Sequence, residues 1–252
     1  MVLPRVALIT GGSRGVGAEI ARTLAKDGVR VAIVGRDKAA LASVAAEFGG
    51  VALVADVTCR DALFVAVEQA ERELGPIGIC VHNAGIAPSA PLLATDDAIW
   101  DRTMAINVKP AFWLAQWLVP KMIAAGWGRI VHVASNAGLT GYAYTTAYCA
   151  SKHALVGFTR ALAAEVARTP VTVNAVCPGF LETEMTDATI ATIATKTKRT
   201  PQEARAYLES LSPQKRLIQT AEVAHVVRML CADVGRALHG TAIPIDGGQV
   251  MT

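Results

Sequence analysis

Short runs rich in Val and Ile alternate along this chain with Ala- and Leu-rich segments whose apolar positions recur at helical spacing. The strand-like runs are 6–9, 30–34, 51–54, 78–82, 129–134, 171–176 and 241–245. The helix-like segments are 16–27, 38–48, 62–74, 101–125, 146–168 and 221–232. Strand followed by helix, repeated, implies βαβ crossovers and a parallel sheet covered on both faces. Crossovers of this kind are right-handed, and ligands then sit beyond the carboxyl ends of the strands. An apolar fraction of 52% with 5% aromatic residues suits strands buried on both faces. With 252 residues the chain can bury a core of its own, and α/β folds of this length are often one domain. Segment 184–219 breaks the alternation with Thr, Lys and Glu, and is expected to be a lid or substrate loop on a single domain spanning 1–252.

The net charge of +3 is scattered, with no basic block that would serve as a nucleic-acid footprint. Cys59, Cys80, Cys149, Cys177 and Cys231 show no paired spacing, which fits a reducing compartment. The five histidines show no metal-ligand spacing, so no metal is expected. The longest apolar stretch, 111–119, falls far short of the ~20 residues that span a bilayer. The expectation is a cytoplasmic protein with no membrane partner.

Gly11, Gly12, Ser13, Arg14, Gly15, Val16 and Gly17 lie where the first strand turns into the first helix. Glycines there permit a tight turn and close backbone approach to a phosphate, while the helix N-terminus supplies free N–H groups. The spacing is Gly-x-x-x-Gly-x-Gly rather than Gly-x-Gly-x-x-Gly. A dinucleotide site expects an acidic residue about 20 positions on, gripping ribose hydroxyls. Asp37 stands at that distance but precedes a helix, where it is well placed as an N-cap. Arg36, with Arg14, could clamp a 2′-phosphate through charge-assisted bonds, which favours NADP(H).

Tyr148 and Lys152 are four apart in a helical segment and share a face. A phenol ionises near ~10 and is a poor acid–base group at neutrality. A nearby ammonium favours the phenolate and lowers that value. Ser135 lies just past the fifth strand, where its hydroxyl can hold a substrate carbonyl beside Tyr148; a turn serine is the plainer reading. Asn107, a poor helix former among apolar neighbours, marks a satisfied kink or a polar relay.

In this order and spacing, Thr10-Gly11-x-x-x-Gly15-x-Gly17, Asp56-Val57, Asn83-Ala84-Gly85, Asn107, Ser135, Tyr148-x-x-x-Lys152, Pro178-Gly179 and Asp246-Gly247-Gly248 resemble the short-chain dehydrogenase/reductase family. The resemblance covers Val6 to Gly248. It implies a Rossmann-like, doubly wound fold with a seven-stranded parallel sheet in the order 3-2-1-4-5-6-7, and a homotetramer or dimer. It implies that Tyr148 gives a proton to the carbonyl, that Lys152 holds the nicotinamide ribose, and that Ser135 polarises the carbonyl. Asn107 would hold a water leading to Lys152. Asp56 and Val57 would border the adenine, Asn83, Ala84 and Gly85 would line the cofactor, and Pro178, Gly179 and Thr183 would embrace the nicotinamide. His82 departs from the pattern, since many members carry Asn there.

The substrate is less legible. Parts of the chain are similar to ketoreductases of fatty-acid and polyketide synthesis and to 3-hydroxybutyrate dehydrogenases. Ala87, Ala137 and Thr145 stand where the latter place polar residues that grip a carboxylate, which disfavours a small free acid. A 3-oxoacyl thioester or an uncharged ketone fits better. Lys196, Lys198 and Arg199 could meet a carrier or coenzyme A phosphate, or simply form a solvated face. The leading expectation is an NADPH-dependent carbonyl reductase. The alternatives are an alcohol dehydrogenase acting on a cyclic, aryl or 3-hydroxyacyl alcohol, and a non-catalytic NADP(H)-binding protein.

Overall fold

The structure is a computed structural model that describes residues 5–251. Seven parallel strands form one sheet in the order β3-β2-β1-β4-β5-β6-β7. They are β1 (Val6–Thr10), β2 (Arg30–Gly35), β3 (Val51–Val54), β4 (Ile77–His82), β5 (Gly128–Val133), β6 (Val171–Pro178) and β7 (Ala242–Ile245). Nine α-helices occur among the described residues: α1 (Gly15–Lys26), α2 (Lys38–Ala46), α3 (Arg60–Leu74), α4 (Asp97–Asn107), α5 (Lys109–Ala124), α6 (Thr146–Val166), α7 (Glu184–Thr197), α8 (Pro201–Ser210) and α9 (Thr220–Cys231).

Alternate residues of each strand feed two apolar layers, as the period of two requires. Leu8, Val34 and Ile130 face one way, against Leu63 and Val67 of α3 and Leu114 and Leu118 of α5. Ile9, Ile33 and Val131 face the other way, against Ile20 and Leu24 of α1 and Val223, Val227 and Leu230 of α9. The sheet is therefore covered on both faces. Its carboxyl edge, where Thr10, His82, Val133 and Pro178 end their strands, is left to the connecting loops.

Two segments differ from the sequence expectation. Segment 101–125 is not one helix but two, broken at Val108 (φ −120°, ψ −55°). Pro110 lacks an N–H and its ring collides with the carbonyl four residues back, so a helix cannot run through it unbroken. The first part begins earlier than expected because the Asp96 carboxylate caps the Ile99 N–H at 2.8 Å. Segment 184–219 holds two helices instead of an irregular loop. Thr200 and Glu203 form a reciprocal capping box with Pro201 at the first helical position of α8. Ile190, Ala204, Leu208 and Leu217 give α7 and α8 a small core of their own.

Candidate active site

The glycine turn is pinned from two sides. Gly11 N–H donates to the Val34 carbonyl at 2.8 Å, and the Asn83 side chain donates to the carbonyls of Thr10 and Gly11 at 3.2 and 3.0 Å. Gly17 has no substitute here, since a Cβ would lie 2.2 Å from the Gly11 carbonyl oxygen. Helix α1 starts from Arg14 with no side chain capping its first N–H groups and no acidic residue in its first turn. Those donors and their positive dipole end are suited to an anion.

At the end of β2, the Asp37 carboxylate accepts the Ala40 N–H at 3.0 Å and caps α2. The N-cap reading of Asp37 is thus correct, with one carboxylate oxygen on the Ala40 N–H. Arg36 is exposed beside it and contributes, with Arg102, to holding Asp56 below the usual carboxylate range. The larger cause there is the hydrogen bond from the Thr58 backbone N–H, at 2.9 Å. Val57 is buried next to Asp56. Arg14 reaches in another direction, pairing with Glu184 at the start of α7 at 3.0 Å.

Beyond β5, Ser135 is 8% exposed and accepts the Ala137 N–H at 3.1 Å, so it does cap a short 3-10 turn. Its hydroxyl proton is directed at Asn136 Oδ1 or the Pro178 carbonyl, each at 3.4 Å. Tyr148 keeps part of its surface open, yet burial around its hydroxyl raises its pKa, and the nearby Ser135 hydroxyl pulls it back. Lys152 is buried, with Nζ 5.8 Å from the Tyr148 ring centre. Its ammonium donates to the Val133 carbonyl at 2.9 Å, and burial lowers its pKa to about 8. Desolvation is the largest influence on the Tyr148 hydroxyl, so the net direction is upward; the Lys152 ammonium gives one of its three N–H groups to Val133.

Asn107 is fully buried at the α4–α5 break. Its amide accepts the Ile86 N–H at 2.8 Å and donates to the Ile86 carbonyl at 3.0 Å and to Ser151 Oγ at 2.9 Å. It is a satisfied kink, braced between the loop after β4 and helix α6. A Cβ on Gly85 would sit 3.3 Å from Asn107 Oδ1 and 3.5 Å from Lys152 Nζ, which places Gly85 against the same cluster, while Ala84 packs on Gly11. Pro178 ends β6 and Gly179 follows it, and Thr183 caps α7 without a side-chain bond. Behind them the buried Asp246 carboxylate accepts the N–H groups of Gly248, Gln249 and Val250.

Several residues of this cluster escaped the sequence reading. Ser151, next to Lys152, links Asn107 to α6, accepting from the Asn107 amide and donating to the Tyr148 carbonyl. Asn136 donates to Gln249 at 3.1 Å and ties the Ser135 turn to the C-terminal segment. Only the polar character of these positions within apolar stretches could have flagged them. Thr145, expected to offer no carboxylate grip, spends its hydroxyl on the Tyr142 carbonyl at 3.0 Å. Lys196, Lys198 and Arg199 are exposed at the far end of α7, with the Arg199 guanidinium 5.1 Å over the Tyr207 ring. Among the described residues, no group of three or more His, Cys, Asp or Glu could hold a metal ion. No helix there is long and apolar enough to cross a membrane.

Residues 5–194 match the family profile described as short chain dehydrogenase. The chain is 36% identical to the galactitol 2-dehydrogenase (L-tagatose-forming) of Cereibacter sphaeroides, over 97% of this chain and 94% of that protein. It is 36% identical to the 3-oxoacyl-[acyl-carrier-protein] reductase of Pseudomonas aeruginosa, over 98% of each. It is 35% identical to a putative ketoacyl reductase of Streptomyces coelicolor, over 96% of each. Among solved structures it is similar to a variant actinorhodin polyketide ketoreductase crystallised with NADPH, with TM-score 0.94, 32% identity and coverage of 98% of this chain and 97% of that one.

Proposed function

The chain belongs to the short-chain dehydrogenase family, and we propose that it is an NADPH-dependent carbonyl reductase acting on 3-oxoacyl thioesters or related ketones. The observation that carries this reading is the gathering of Ser135, Tyr148 and Lys152 at the carboxyl edge of the sheet, with the Lys152 ammonium 5.8 Å from the tyrosine ring centre. The residues fit a phosphorylated dinucleotide: α1 opens without a capping side chain or an acid, and Asp37 is occupied as a cap beside the exposed Arg36. In this reading Gly11, Ser13, Gly15, Val16 and Gly17 would hold the pyrophosphate and Arg36 the 2′-phosphate, which Arg14 would join only on leaving Glu184. Asp56 and Val57 flank the adenine; Asn83, Ala84 and Gly85 line the middle; Pro178, Gly179 and Thr183 enclose the nicotinamide.

A nicotinamide cofactor held by these residues would supply a hydride to the carbonyl carbon. Ser135 holds the carbonyl oxygen, and Tyr148, kept protonated by burial, gives that oxygen its proton. Carbon gains the hydride and oxygen the proton, so the product is a secondary alcohol and the tyrosine is left as phenolate. The Lys152 ammonium then faces that negative charge, and Asn107 fixes the helix face that carries both groups. Helices α7 and α8, within 184–219, act as the lid, and Arg14 meets it through Glu184. Small molecules are the partners, the compartment is cytoplasmic, and the exposed Leu93, Trp100, Phe112 and Ile123 mark a face for self-association as a tetramer or dimer.

A second reading is favoured by the similarity to a galactitol dehydrogenase: oxidation of a secondary alcohol with the same residues run in reverse. An assay following NADPH and NADH against acetoacetyl-CoA, longer 3-oxoacyl thioesters, and cyclic and aryl ketones separates the two, with NADP+ and NAD+ tested against polyols. Fastest turnover with NADPH and a thioester or ketone supports the first reading. Fastest turnover in oxidation of a polyol replaces it with the second.

A further inference from the structure

His82 ends β4 in register with Thr10 of β1 and His132 of β5, and its side chain is 1% exposed. Its neighbours define where its proton sits. Thr10 Oγ1 lies 3.1 Å from the backbone nitrogen of Asn83, 3.1 Å from that of Ala84, and 3.0 Å from His82 Nδ1. A hydroxyl offers two lone pairs and one proton, and a backbone N–H can only donate. The two N–H groups therefore take the lone pairs, and the hydroxyl proton goes to Nδ1. A neutral His82 then carries its own proton on Nε2, which lies 3.2 Å from the carbonyl oxygen of Asn107.

That carbonyl needs a donor because of the helix break. In an unbroken helix it would accept the Ala111 N–H, but Ala111 turns to the Val108 carbonyl at 3.1 Å. We infer that His82 is a positioning residue: it holds the Asn107 carbonyl at the α4–α5 break and ties Asn107 to the strand end that opens the glycine turn. Asn107 in turn grips Ile86 and Ser151, the residue before Lys152. The chain Thr10 to His82 to Asn107 to Ser151 thus joins the cofactor-binding turn to the helix that carries Tyr148 and Lys152. His132 does not compete for these partners, since its Nδ1 pairs with Thr159 at 2.8 Å. Burial and the nearby Lys152 charge push the His82 pKa down to about 4, so it stays neutral through the physiological range.

The inference rests on the reading of Tyr148 and Lys152 as the proton-transfer groups, which Tyr148→Phe tests separately. Three variants separate the two ends of the imidazole. His82→Gln can place an N–H near the Nε2 position, His82→Asn keeps a polar atom only near Nδ1, and His82→Leu keeps neither. With acetoacetyl-CoA and NADPH, kcat is expected to fall about tenfold in the Asn and Leu variants, with KM for NADPH within about twofold. The Gln variant is expected to recover most of the loss. Equal kcat in Gln and Asn variants of equal Tm, or an undiminished kcat in the Leu variant, would overturn the inference. Nitrogen-15 spectra of histidine-labelled wild-type protein test it without turnover. They should show the Nε2–H tautomer at pH 7; an Nδ1–H tautomer or an imidazolium overturns it.

Discussion

Burial acts in opposite directions on Tyr148 and Lys152. For the phenol the charged form is the deprotonated one, so desolvation keeps its proton on. For the ammonium the charged form is the protonated one, so desolvation releases its proton early, at about 8. Below that pH the pair is a protonated donor over a cation; above it the cation is lost. Because kcat/KM reports the free enzyme, its value for NADPH in carbonyl reduction should decline as pH climbs through about 8. A profile that stays level from pH 7 to pH 10 would contradict this. A second residue-scale prediction concerns Arg36, exposed beside an Asp37 whose carboxylate caps α2 through the Ala40 N–H. Arg36→Asp removes a phosphate partner and adds a like charge, so the ratio of kcat/KM for NADPH over NADH should fall at least about tenfold. An unchanged ratio would remove Arg36 from the cofactor site.

Among the elements, α7 and α8 carry a testable local strain. Lys198 ends α7 at φ 57°, a left-handed conformation that glycine adopts without the Cβ cost. Lys198→Gly should stabilise the protein by about 0.5 kcal/mol, a rise in Tm of roughly 1–2 °C read by calorimetry. A fall in Tm would mean that the lysine side chain makes contacts worth more than the strain. This region also shows what the sequence conceals. Thr200, Pro201 and Glu203 carry a helix-start signal, but the polar Thr and Lys content masks it, because α7 and α8 bury only one narrow face. The break at Val108 is legible in Pro110, yet continuous apolarity from 111 to 119 invites one long helix. Asn107 reads as an anomaly in sequence; its partners Ile86 and Ser151 are 21 and 44 residues away, and only the fold brings them together.

For the whole molecule, alternation of strand and helix was enough to predict a parallel sheet, because each run of buried strand needs a crossover to return it. Strand order was legible only through resemblance, since βα alternation alone is compatible with other windings. The approach of Ser135 to Tyr148 follows from that order: β5 delivers Ser135 at its carboxyl end, and α6 returns past it carrying Tyr148 and Lys152. Several large apolar side chains remain open on the outside: Leu93 is fully exposed, and Trp100, Phe112 and Ile123 lie open on α4 and α5. Self-association should cover them, so light scattering should give a mass at least twice that of the chain, and Phe112→Asp should lower it. A monomeric wild type would contradict that expectation.

The central claim is that Tyr148 hands a proton to a carbonyl reduced with NADPH. It is tested most directly by the rate of NADPH oxidation with acetoacetyl-CoA in wild type and Tyr148→Phe, beside NADPH affinity measured by fluorescence. The claim predicts a rate loss of roughly a thousandfold with affinity changed by less than about threefold. A Tyr148→Phe variant that turns over within a few-fold of wild type would contradict it.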